Sequence, residues 1–182
     1  MTNIQFSEVT RSNLQRLLYQ KVVAIDMPHS RIASNRPLLK NFLAIRLTLG
    51  DDTAVFFSVD SIYLNEEVEV FVIEATSSLE LGRHPGGTPT TWQPIIALPN
   101  QINGSSIEDI RSLSANWQIV AGSQGQSLYG SDPHFLDHSS SNDATSYDIE
   151  DGLILFFSNG CTLVISTIDT LPGTLALRPS VQ

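Results

Sequence analysis

The chain has 182 residues, of which 41% are hydrophobic and 16% charged, with a net charge of −9. That is enough for one domain, or two small closely packed ones, around a real core, and the low charge excludes wholesale disorder. No apolar run approaches the ~18 residues of a helical membrane span, and a single cysteine, Cys161, excludes an intrachain disulfide framework.

One cysteine fits a reducing compartment, and Met1–Phe6 lacks the basic and apolar regions of a secretory signal. We therefore expect a cytoplasmic protein, with Asn103-Gly104-Ser105 a chance glycosylation pattern. Charge is divided unevenly. Residues 1–46 carry seven basic side chains (Arg11, Arg16, Lys21, Arg31, Arg36, Lys40, Arg46) against Glu8 and Asp26, a balance of +5. Residues 47–182 carry three (Arg83, Arg111, Arg178) against seventeen acids, a balance of −14. Such a body repels nucleic-acid phosphates and anionic membranes and attracts basic protein surfaces or cations. The same charge also serves solubility, and the basic stretch can pack against the acidic body.

Ser7–Tyr19 reads as a short amphipathic helix, with Leu14, Leu17 and Leu18 on one face and Ser7 or Thr10 as its cap. Val22–Ile25 is a β-like run closed by Pro28, and His29–Asn41 is polar, basic and irregular. Residues 43–49 alternate: Leu43, Ile45, Leu47 and Leu49 on one face, Ala44, Arg46 and Thr48 on the other. That strand turns at Gly50-Asp51-Asp52 and returns as Ala54–Val59, with either Gly50-Asp51 or Asp51-Asp52 as the central pair. A third strand, Val68–Ala75, is flanked by Glu66, Glu67, Glu69 and Glu74, as suits an edge or solvent-facing strand.

Gly82–Pro94 holds three prolines and three glycines, which forbid regular structure and mark a boundary. We expect an N-terminal hairpin-plus-strand unit at 1–81, a connection at 82–94 and a C-terminal unit at 95–182, packed as one domain. Beyond the boundary, Ser105-Ser106-Ile107-Glu108 fits a capping box, and Ile107, Ile110 and Leu113 fit one face of a short helix. Trp117–Ala121 suits a strand, and Gly122–Ser146 reads as a long loop.

Leu153–Ile165 is two apolar runs hinged on Asn159-Gly160, a strong hairpin signal. A two-residue loop opposes Phe157 to Thr162 and Phe156 to Leu163. Leu155, Phe157, Thr162 and Val164 then share one face, and Ile154, Phe156, Leu163 and Ile165 the other. Both faces are apolar, so we expect cover on each side. Leu175–Leu177 is the last strand. The fold class is α+β and strand-dominated: antiparallel sheets from two hairpin-plus-strand units with short helices. The halves share a pattern but few identities, as a duplication or independent recurrence of a common motif would both produce.

Familiar catalytic signatures are missing: the Gly122–Gly125 stretch lacks the Lys-Ser/Thr of a phosphate loop, and there is no nucleophile elbow or paired Cys-x-x-Cys. His134 and His138 stand at i, i+4 behind Pro133, a spacing able to hold Zn²⁺ with a carboxylate such as Asp132, Asp137, Glu150 or Asp151. The glutamate that zinc hydrolases place beside the first histidine is absent. His29 and His84 lie beside prolines in irregular segments. Cys161 has no neighbouring base and reads as a small strand thiol. Trp92 and Trp117 suit either a core or an interface.

The leading expectation is a non-enzymatic protein that binds a basic protein through an acidic surface, as an immunity or inhibitor protein binds a toxin enzyme. Its contacts are Glu66, Glu67, Glu69, Glu74, Asp132, Asp137, Asp143 and Asp148, with no cofactor, nucleic acid or membrane involved. The alternatives are a metal-binding protein or metal-dependent enzyme using His134 and His138, and a self-assembling subunit using strand edges and Trp92.

Overall fold

The computed structural model describes residues 2–28, 41–42, 44–63, 69–78, 91–95, 102–120, 144–167 and 175–180. In chain order the elements are β1 (Thr2–Ile4), α1 (Glu8–Leu17), β2 (Val22–Pro28), β3 (Asn41–Phe42), β4 (Ala44–Leu49) and β5 (Ala54–Tyr63). There follow β6 (Glu69–Thr76), β7 (Trp92–Pro94), β8 (Ile107–Val120), β9 (Ala144–Phe157), β10 (Thr162–Ser166) and β11 (Leu175–Ser180). One sheet runs β6-β5-β4-β2-β7. The other runs β1-β9-β10-β11-β3, with β8 along the far side of β9. Pairing is antiparallel except for β1 beside β9. This is the α+β, strand-dominated architecture that the sequence predicts.

α1 starts where the Ser7 hydroxyl accepts the Thr10 N–H at 3.1 Å, satisfying one of the first-turn donors. Leu14 and Leu17 are buried as their spacing predicts, but so are Thr10 and Asn13. The reason is the edge of β6. Ala75 N–H donates to Thr10 Oγ1 at 3.1 Å, and Asn13 Nδ2 donates to the Ala75 carbonyl at 3.0 Å. Farther along, Thr167 Oγ1 donates to the Phe71 carbonyl at 3.1 Å. Side chains thus occupy backbone groups that an edge strand would otherwise offer to another chain.

The two hairpins share one design. Leu49 N–H donates to the Thr53 carbonyl at 2.8 Å and Asp52 N–H to the Leu49 carbonyl at 3.1 Å; Phe157 and Cys161 repeat the first bond, and Gly160 and Phe157 the second, both at 2.9 Å. Each loop therefore has three residues, Gly50-Asp51-Asp52 and Ser158-Asn159-Gly160. The last residue is left-handed in both, with φ 63° at Asp52 and 82° at Gly160. In each loop the middle side chain, Asp51 or Asn159, accepts the N–H two residues on at 3.0 Å.

The extra loop residue corrects the expected register. Thr162 lies opposite Phe156 rather than Phe157, and Leu163 opposite Leu155. A one-residue slip re-sorts the faces. Leu153, Leu155, Phe157, Cys161, Leu163 and Ile165 all turn into the core, while Ile154, Phe156, Thr162 and Val164 stay half-buried on the other side. Cys161 is accordingly a buried core thiol beside Phe157.

The expected helix at Ile107–Leu113 is instead the start of β8. Its i, i+3 apolar spacing comes from a bulge between Ile107 and Asp109, which inserts Glu108 and delays the next inward residue to Ile110. β2 has the same irregularity between Val22 and Ala24, leaving Val23 extra. Glycine and proline do not forbid structure at 92–94 either, because β7 pairs with the edge of β2 and ends on Pro94. Of the irregular segments expected at His29–Asn41 and Gly122–Ser146, Asn41 instead opens β3 and Ala144–Ser146 open β9, each paired with a neighbouring strand; residues 29–40 and 122–143 lie outside the described residues.

β2 and β8 meet at a seam built twice over. Val22 N–H donates to the Ser105 carbonyl at 2.9 Å, and Ile107 N–H to the Gln20 carbonyl at 3.1 Å. Gly104 N–H donates to the Val22 carbonyl and Tyr19 N–H to the Ile107 carbonyl, both at 2.7 Å. Lys21 bridges Ser106 at the centre. Each bond has its counterpart in the other half, and the matching pair Tyr19 and Gly104 both have positive φ. Residues of both sheets, from Val22, Ile45, Leu47 and Phe57 to Leu153, Leu155, Leu163 and Ile165, form one core between them. Each such side chain contributes about 1.5–3 kcal/mol through burial. A smaller cluster joins Val70 and Val72 of β6 to Ile149 of β9.

Gly152, flanked by Leu113 of β8 and Ser166 of β10, has no room to spare. A Cβ there would lie 3.2 Å from Leu113 Cβ and Cδ1 and from Ser166 Cβ. Gly152→Ala is expected to destabilise the protein by about 1–3 kcal/mol through overpacking, measured as a lower denaturant midpoint with unchanged slope. An unchanged midpoint would show that these strands have slack.

Candidate interaction surface

Of the acids expected to contact a partner, β6 carries Glu74 opposite Ser58, half-buried, and β9 carries Asp148 between Tyr147 and Ile149. Tyr147 and Ile149 pack in the cluster with Val70 and Val72, whereas strand alternation turns Asp148 to the opposite face. Glu74 lies on the same face of β6 as Val70 and Val72, so the fold does not direct these two acids to one spot. Glu69 is placed by its backbone at the start of β6, opposite Tyr63. Glu66, Glu67, Asp132, Asp137 and Asp143 lie outside the described residues, as do His134 and His138. No group of three or more metal-ligating side chains occurs among the described residues.

Sequence reasoning missed a surface at the seam. The exposed tips of both hairpins are tied to it: Gly50 N–H donates to the Lys21 carbonyl at 2.8 Å, and Ser158 N–H to the Ser106 carbonyl at 2.9 Å. Around it stand the exposed acids Asp51, Asp52 and Glu108, and two exposed apolar side chains, Tyr19 at 77% and Val23 at 50%. Tyr19 is unusual on two counts. It is a bulky residue with φ 64° at the exit of α1, and glycine holds the matching place in the other half. Patterning in sequence cannot show this, because exposure of one tyrosine looks like any helix end.

Asp51 accepts the Thr53 hydroxyl at 2.6 Å and the Thr53 N–H at 3.0 Å. The hydroxyl first, then the backbone bond, holds its carboxyl below the usual aspartate value. The tip therefore keeps its negative charge into mild acid.

A second cluster lies on the outer face of β4. Arg46 donates from Nε (3.0 Å) and Nη2 (2.7 Å) to Oδ2 of buried Asp26, and its guanidinium stands 5.0 Å from the Trp92 ring centre. Trp92 in turn tilts against Phe56 at 5.4 Å. Trp92 is thus half-buried, on the outer face rather than in the core. Elsewhere Glu150 Oε2 accepts the Phe6 N–H at 2.7 Å and lies 3.6 Å from Arg11, which ties one residue of the basic segment to the acidic body. Asp151 is fully buried where β9 bulges against β8.

Two outcomes are expected. Tyr19→Gly should raise stability by about 1 kcal/mol, because relief of left-handed strain outweighs the loss of a mostly solvated ring; a lower melting temperature would contradict that. In an NMR titration the Asp51 carboxyl should have its midpoint below the ordinary aspartate value, and Thr53→Val should move it up. Because the folded pKa is the lower one, any stability it contributes is present above the ordinary value and lost as pH falls through the Asp51 midpoint. No family model, curated protein or solved structure matches this chain.

Proposed function

We propose that the protein is a non-enzymatic partner-binding protein whose acidic surface receives a basic protein, in the manner of an inhibitor or immunity protein of a basic enzyme. One observation carries this reading. Among the described residues, Asp51, Asp52, Asp60, Glu74 and Glu108 take part in no ion pair, and all but Glu74 are exposed. Folding leaves their charge unneutralised, and the balance of −14 over residues 47–182 gives it long reach. A field of that sign speeds encounter with a cationic surface and can occlude a basic active site once docked. The exposed Tyr19 supplies what charge lacks, a rigid aromatic anchor for the centre of a contact. Glu66, Glu67, Glu69, Asp132, Asp137 and Asp143 are assigned to the same surface on charge alone, whereas Asp148, turned to the opposite face of its strand, is set apart from it.

The test is capture of partners at low and moderate salt, followed by affinity measurements on the purified pair. Affinity should fall steeply with salt. Joint replacement of Asp51, Asp52, Asp60 and Glu108 by their amides should weaken binding and flatten the salt dependence, while Tyr19→Gly should weaken it without changing the slope. A partner whose affinity is indifferent to salt and to these amides would overturn the reading.

A further inference from the structure

β2 and β8 occupy matching places, but their outer edges are treated differently. On β2, Met27 lies opposite Gln93, Pro28 opposite Trp92 and Asp26 opposite Pro94, and Ile95 N–H donates to the Ile25 carbonyl at 3.0 Å. Ile25 faces Leu47 across β4, and the Leu49 backbone points to Thr53 of β5, so by alternation Ile25 and Met27 direct their backbone groups away from β4. On β8, Ile110 faces Leu155 and Ser112 faces Leu153, while the Phe157 backbone points to Cys161. Ile110 and Ser112 therefore direct theirs outward in the same way. Among the described residues no strand pairs with them; Asp109 Oδ1 accepts the Ile110 N–H at 2.9 Å, which leaves the Ile110 carbonyl and the Ser112 groups for an added strand, and Arg111, Ser112 and Ser114 are exposed.

We propose that the outer edge of β8 at Ile110–Leu113 is a strand-addition site for a short extended segment of a partner protein, one bearing an aromatic residue and flanking lysines. β7 is the internal template for length, direction and side-chain pattern. In the template Trp92, opposite Pro28, covers Arg46 and Phe56. The matching place on β8 is Leu113, and the side chains matching Arg46 and Phe56 are Ile154 and Val164, paired with one another and half-buried. An aromatic residue opposite Leu113 thus lands on an apolar surface. The cation within the site, Arg111, is paired with Asp109 at 2.8 Å, so lysine is specified by the exposed Glu108 and by the acidic balance of residues 47–182, and a second copy is disfavoured because two chains of −9 repel one another. The lysines rest on the partner-binding reading above, whereas the edge rests on register alone.

The probe is a synthetic peptide, Thr-Trp-Gln-Pro-Ile-Lys-Lys, whose lysines fall beside Glu108 when the tryptophan lies opposite Leu113, titrated into the full-length protein and followed by amide NMR. The expected result is saturable shifts at Ile110 and Ser112, with slowed amide exchange at Ser112. Ser112→Pro removes the outward N–H while leaving the β9 ladder intact; it should lower peptide affinity about tenfold or more, whereas Ser112→Ala retains it. A thermal melt of both variants confirms folding. Absence of shifts at millimolar peptide, or shifts that survive Ser112→Pro, would overturn the site. Dimerisation without peptide that Ser112→Pro abolishes would assign the edge to a second copy and overturn the proposed occupant. Where a basic partner is in hand, its salt-dependent binding persisting in Ser112→Pro sinks the edge alone, whereas salt-indifferent binding lost in Ser112→Pro sinks the acidic-surface reading alone.

Discussion

The reciprocal backbone bonds at the Lys21–Ser106 seam are the constraint on which the rest of the structure depends. Four bonds of 2.7–3.1 Å join residues 19–22 to residues 104–107. Each is worth only about 0.5–1.5 kcal/mol net, but leaving such a group buried and unmade costs more. The seam demands a left-handed residue in each half, and Tyr19 and Gly104 supply it at φ 64° and 91°. Both hairpin tips then hang from it through Gly50 and Ser158. Once the tips are anchored, the start of β2, the start of β8 and the register of every strand beside them follow. Register decides faces, and faces put Leu47, Phe57, Leu155 and Leu163 into one core.

The loop length carries the same weight. A two-residue Asn-Gly turn needs both central residues left-handed, whereas here only Gly160 is, and Asn159 spends its side chain on the Cys161 N–H. The added residue moves β10 by one position against β9 and turns Cys161, Leu163 and Ile165 to the side of Leu155 and Phe157. With a two-residue loop, half of that apolar set would have faced away from the core. Asp52 at φ 63° performs the Gly160 role in the other hairpin, with Asp51 in place of Asn159.

Strand content, the amphipathic face of α1, the alternation of β4 and the position of both hairpins are legible from periodicity and turn residues. What periodicity cannot see is a bulge. Glu108 interrupts β8 so that Ile107 and Ile110 mimic helical spacing, and Val23 shortens the apparent β2 run. Nor can it see that Trp92-Gln93-Pro94, read locally as a breaker, pairs with the edge of Asp26-Met27-Pro28, far back in the chain. The candidate surface was legible as charge and not as place. Acid counts identify a polarity, but the grouping of Asp51, Asp52, Glu108 and Tyr19 exists only because two sequence-distant segments share the seam.

Edges explain why some side chains contradict their element's pattern. Thr10 and Asn13 sit on the buried face of α1 where leucine would bury more apolar area. They stay polar because the N–H and C=O of Ala75 would otherwise be buried without partners, at about 1–3 kcal/mol each, which matches or exceeds the gain from an added methyl or two. The outer edge of β8 lies under the opposite condition. Asp109 Oδ1 accepts the Ile110 N–H, and with Arg111, Ser112 and Ser114 exposed, water satisfies the other outward backbone groups at no cost to folding. An added strand there exchanges water bonds for protein bonds and gains little from the exchange itself. Affinity at such an edge must come from the side chain that lands on Ile154 and Val164, and selectivity from the sign of the charge around it.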